Sequence, residues 1–188
     1  VLNLHQKVDL ILVNALSSSD AIETSKNAAY YGAAAAVANL TYQVVISVTF
    51  VIFPLISHSV FVSERARTRL YITNTLRYTL MMMALAATLF SANASEVLQV
   101  MYPGPYQAGT PALSILALGM LLFGLVTVIT TIISASGRPS ISLLVGCVTL
   151  ATSAGLNAVL IPGYGLRGAA MSTTVAMLVG TMIGGAYL

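Results

Sequence analysis

Two cations and an anion in this sequence stand where a membrane protein would need a reason to keep them. Lys7 and Asp9 sit at the edge of the short apolar run Leu10–Val13 in "HQKVDLILVNALSSSD", and Arg77 lies inside the apolar stretch "ITNTLRYTLMMM". If the first helix emerges near Leu16, Asp9 lies about 10 Å and Lys7 about 13 Å inside its outer end, at about 1.5 Å of rise per residue. Residues two apart point to nearly opposite sides of a helix, so the pair cannot neutralise itself on one face. Each then needs water, a partner elsewhere, or a route for its side chain to the interface. The alternatives are a charged lining of a central cavity for all three groups, or snorkelling by Lys7 and Arg77 with the first span's boundary lying elsewhere.

Uncharged polar groups recur with helical spacing. Asn39, Gln43 and Ser47 form one stripe, and Thr149, Ser153 and Asn157 form another. Gly168, Ser172, Ala176, Gly180 and Gly184 make a ladder of small residues at the same interval. Small residues allow two backbones to approach closely, and polar stripes either pack helix to helix or face a wet cavity. No catalytic set is visible: the histidines are His5 and His58, Cys147 is alone, and neither a carboxylate cluster nor a Gly-rich phosphate loop occurs. We therefore expect no enzyme, no metal and no cofactor. The single cysteine excludes a disulfide within the chain.

The elements that must hold these residues follow from composition. The 188 residues are 57% hydrophobic and 7% charged, with a mean hydropathy of +0.90, whereas a soluble domain carries about a quarter charged residues. A bilayer-spanning helix needs about 20 mostly apolar residues. That length predicts full spans near 33–57, 71–93, 111–135, 140–161 and 165–188, with a truncated first span near 1–16. The expected fold is an all-α integral membrane bundle of about six helices, with no β-barrel alternation. "GTPALS" offers Thr110 as N-cap and Pro111 as first helical residue, and "SGRPS" and "IPGYGLRG" separate later spans. Pro54 predicts a kink or a helix end. The chain lacks an initiator Met and stops in the apolar "MIGGAYL", which predicts a fragment cut at both ends.

The net charge of +3 and pI near 9.2 do not indicate a nucleic-acid partner. Half of the basic residues, Arg65, Arg67, Arg69 and Arg77, lie in one short segment, and Arg138 follows two spans later on the same side. Lys/Arg-rich short loops stay cytoplasmic, so the turns "VSERARTR" and "ASGRPS" are expected there. The opposite loops hold Asp20, Glu23 and Glu96 against Lys26 and Arg167.

In order along the chain, "VDLILVNAL…YYGAAAAVANL…FPLIS", "VLQVMYPGPYQAGTPALSILALGMLLFGL…ISASGRP" and "LNAVLIPGYGLRGAAMSTTVA" resemble the C-terminal lobe of polysaccharide-biosynthesis (O-antigen-type) flippases. These belong to the multidrug/oligosaccharidyl-lipid/polysaccharide exporter superfamily. The resemblance implies one lobe, residues 1–188, of a two-lobe alternating-access transporter whose N-terminal lobe is absent. It implies a multi-pass protein of the bacterial inner membrane that moves undecaprenyl-pyrophosphate-linked oligosaccharide for lipopolysaccharide or polysaccharide synthesis, with possible proton or sodium coupling. On that basis Lys7 and Arg77 would contact phosphate, Asn39 and Gln43 would bind sugar, and Asp9 would couple an ion. A multidrug/cation antiporter of the same superfamily is the alternative, with a channel or an integral-membrane enzyme behind it.

Overall fold

The structure, a computed structural model, describes residues 21–102 and 104–188. The expected span near 1–16, with Lys7 and Asp9, lies outside the described residues. Every element among the described residues is helical. They are α1 (Ala21–Phe61), α2 (Arg65–Ala92), α3 (Ala94–Met101), a 3-10 turn (Pro105–Gly109), α4 (Thr110–Ala135) and α5 (Pro139–Ala186).

Helix α1 contains the expected span 33–57 and runs on through Pro54, so that proline ends nothing. Its opening turns carry Glu23 and Lys26 and extend beyond the apolar stretch. The turn to α2 is a Schellman closure in which Glu64 N–H donates to Ser59 O and Ser63 N–H donates to Val60 O. Ser63 takes the left-handed position at φ 60°, where glycine is the usual occupant. The turn from α4 to α5 repeats this with the usual residue: Gly137, at φ 84°, donates to Ser134 O and Arg138 N–H donates to Ile133 O.

Helix α5 is 48 residues long, about 72 Å if straight and more than twice the hydrocarbon thickness. It is not straight. Gly165, at φ 55° and ψ −130°, is non-helical, three residues after Pro162. Beyond it the chain packs back on itself. Gly168 meets Leu160 and Ile161, Ser172 hydrogen-bonds Asn157, the Cβ direction of Gly180 runs into Thr149, and that of Gly184 comes within contact distance (3.8 Å) of Val145. Each step of four toward the C-terminus meets a step of four back, which is the register of antiparallel helices. The segment is thus a hairpin of two crossings, α5a before Gly165 and α5b after it, covering the expected spans 140–161 and 165–188.

Helix α4 is the centre. Its buried residues include Leu113, Leu116, Met120, Phe123, Val126 and Ile132, and it packs against α1, α2 and both arms of α5. Alongside α1 it runs parallel, with a Cβ at Gly109 directed at Tyr30 O (2.7 Å) and one at Gly124 at Val45 (3.1 Å). Against α2 it runs antiparallel, from Gly124 beside Met83 to Ser114 Oγ donating to Ser91 O at 3.4 Å. The α1–α2 and α4–α5 turns therefore share one end of the bundle, as the arginine distribution requires.

Thr110 is not the N-cap of α4. It lies within the helix, Pro111 occupies the first turn, Gly109 holds the cap position, and no side chain caps it. The close approach of Gly109 to the Tyr30 carbonyl fixes this start; a larger residue would push α4 off α1. The loop "SANASEVLQVMYPGPYQAGT" also holds more structure than its polarity indicated. Helix α3 buries Ala94 and Leu98 in the core, and Tyr30, Tyr102 and Tyr106 stack edge to face or tilted at centroid distances of 5.6–5.7 Å.

Candidate functional site

The two polar stripes, identical in spacing, have different fates. Thr149, Ser153 and Asn157 are fully buried within the α5 hairpin, against the small-residue ladder. Ser172 Oγ donates to Asn157 Oδ1, Asn157 Nδ2 donates to Ser153 Oγ at 3.4 Å, and Thr149 Oγ1 donates to Val145 O at 2.7 Å. This stripe is packing, not a wet wall. Its hydroxyls satisfy one another or the preceding helical turn, as polar groups in hydrocarbon must.

The stripe on α1 faces the other way. Gln43 and Ser47 are exposed and Asn39 is half-buried, on the side opposite Thr41, Val45 and Ile52, which are buried. Ser47 Oγ donates to Gln43 O at 3.4 Å. Exposed amide and hydroxyl groups at mid-span are unfavourable against lipid, so this face calls for a polar environment.

Arg77 lies twelve residues into α2, about 18 Å along its axis from Arg65. It is exposed and nearly opposite the face that buries Thr75, Thr79, Met83 and Ala87. Among the described residues no carboxylate lies within ion-pair distance of it; the recorded ion pair is Arg67 with Glu64 at 2.8 Å. Arg77 and Gln43 both project away from α4. The antiparallel register of α1 and α2 offsets them by about seven residues, or about 10 Å along the axis, and the fold does not bring them into contact. Among the described residues no group of His, Cys, Asp or Glu is placed to hold a metal ion.

The architecture is thus a helical bundle packed around α4, with exposed polar groups and a cation on its outward faces. The family model of the lipid II flippase MurJ matches residues 2–188. The chain belongs to the MurJ lipid II flippase family. A solved structure described as the lipid II flippase MurJ in an inward closed conformation superposes with a TM-score of 0.83 at 17% identity. The match covers 97% of this chain and 39% of that one, so the chain spans less than half of the solved MurJ chain. That likeness shows the fold. No curated protein matches the chain. The superfamily expected from the residues holds, since MurJ is a lipid-linked flippase of that superfamily. The O-antigen specificity does not carry over, because the matched family is named for lipid II. With four helical elements among the described residues long and apolar enough to cross a membrane, one of them a hairpin, this MurJ-family chain is a multi-pass membrane protein.

Proposed function

We propose that the protein containing this lobe flips a lipid-linked precursor across the bacterial inner membrane, and that the precursor is lipid II. The observation that carries the reading is the family match along residues 2–188. Arg77 adds chemical support. A cation at mid-span with no carboxylate partner among the described residues suits a ligand that brings its own negative charge, such as a pyrophosphate. In this reading Lys7 and Arg77 hold the anionic headgroup in a central cavity completed by the first lobe. Asn39 and Gln43 hydrogen-bond its sugars, and Asp9 couples transport to a proton or sodium gradient. The expected use of two lobes about a midplane site is that of alternating-access transporters.

The test is rescue of growth by the full-length protein in cells depleted of their own lipid II flippase. The wild type should rescue; failure despite normal insertion would overturn the substrate assignment. Arg77→Ala should lose rescue at unchanged protein abundance, while Arg77→Lys keeps part of it, because a point charge attracts phosphate without bidentate geometry. Undiminished rescue by a Lys7→Ala, Arg77→Ala double variant would leave lipid II transport standing and remove the headgroup role of these residues.

A further inference from the structure

At the arginine-rich end of the bundle a cavity of about 560 Å³ opens beside the α1–α2 turn. Arg65 and Arg69, one helical turn apart on α2, line it together with Ser59, Ser63, Thr68 and Thr73. Its floor is ordered: Ser59, buried, shares a 2.8 Å hydrogen bond with Thr68, and Thr68 Oγ1 lies 3.1 Å from Glu64 O. Glu64, the carboxylate next in the chain, is engaged by Arg67 at 2.8 Å. Among the described residues this leaves Arg65 and Arg69 with no anion, on a cavity with exposed hydroxyls at its rim.

The surroundings discriminate between anions. Val60, Ile72 and Leu188 also line the cavity, and beside it Phe61, Val62 and Leu70 are 88%, 49% and 58% exposed. Phenylalanine and leucine exposed next to paired arginines make a boundary that is apolar toward the bilayer and cationic toward its surface. A phosphate carried on acyl chains meets both halves of such a boundary; a phosphate in solution meets only one. Positive-inside orientation puts this end at the cytoplasmic leaflet, whose anionic lipids attract basic residues at about 1 kcal/mol each.

We propose that this cavity is a binding site for the phosphate headgroup of an anionic phospholipid of the cytoplasmic leaflet, with Arg65 and Arg69 as its ligands. It is separate from the Arg77 face and does not rest on which substrate is transported.

The experiment titrates full-length protein in mixed micelles with phosphatidylglycerol and follows its melting temperature. Arg65→Gln/Arg69→Gln should lower the apparent affinity for phosphatidylglycerol about thirty-fold, two cations' worth of attraction. Arg138→Gln removes one charge from the same end outside the cavity while the Arg67–Glu64 pair stays intact, and should leave the affinity within about two-fold. A loss with Arg138→Gln equal to that with Arg69→Gln alone would mean diffuse surface charge and overturn the site; so would an unchanged affinity in the double variant. Stabilisation by inorganic phosphate to the same extent would overturn the lipid as the source. If the first variant does not fold, Arg69→Gln alone decides: a loss of about five-fold supports the site, and no loss refutes it.

Discussion

At the scale of single residues, Thr79 differs from the threonines that bond back within their own helix. Thr127, Thr130, Thr149, Thr173 and Thr181 each donate to a carbonyl one turn back at 2.7–3.0 Å. Thr79 Oγ1 is buried without a hydrogen-bond partner among the described residues, beside an apolar groove between α1 and α2 lined by Leu40, Val45, Val48, Met82, Met83 and Leu89. A buried, unsatisfied hydroxyl is destabilising by about 1–3 kcal/mol, and an apolar group of the same shape removes that penalty. Thr79→Val should therefore leave the melting temperature of the full-length protein in detergent unchanged or raised. A clear fall would show that the hydroxyl has a partner outside the described residues.

At the scale of elements, the α5 hairpin depends on glycine where two backbones meet. A Cβ at Gly168 would strike the Leu160 carbonyl across the turn, and backbone cannot move aside as a flexible side chain can. At Gly180 it would come within 2.5 Å of Thr149 Oγ1 and 3.2 Å of Val126. Gly155, on the outward face of the same hairpin, has nothing within 4 Å. Gly168→Ala should then destabilise by about 1–3 kcal/mol through overpacking. Gly155→Ala should be neutral or stabilising by up to about 1 kcal/mol, since alanine is the better helix former. Melting the two variants side by side checks this, and equal stability would show that the hairpin arms are not pressed together at Gly168.

The whole molecule is ordered by its ends. Antiparallel pairing of α1 with α2 and of α4 with α5a places Arg65, Arg67, Arg69 and Arg138 on one side, and Tyr102, Tyr106 and the Gly165 break on the other. Single cysteines at Ser63 and Ser140, both exposed, in a Cys147→Ala background should resist an impermeant thiol reagent in intact cells and react once the membrane is opened. Rapid labelling in intact cells would invert the molecule and move the proposed lipid site to the outer leaflet.

Much of this was legible in the sequence because the bilayer imposes few solutions: a span must be long, apolar and internally hydrogen-bonded. Composition and breaks such as "SGRPS" and "IPGYGLRG" thus pointed to long apolar helices and the turns between them, and the arginines marked one end. The stripes Asn39, Gln43, Ser47 and Thr149, Ser153, Asn157 show where that legibility stops. Periodicity tells which residues share a face, and both stripes pass that test equally. It does not tell what the face meets. Only the turn at Gly165, which folds Gly168, Ser172 and Gly180 back onto Asn157 and Thr149, made the second stripe a dry interface, while burial of Thr41, Val45 and Ile52 on the other face of α1 left Gln43 and Ser47 outward. The start of α4 was likewise decided by the Tyr30 carbonyl against Gly109, a contact between residues far apart in the chain. Local sequence fixes what a helix can present; packing between distant segments decides what each face is for.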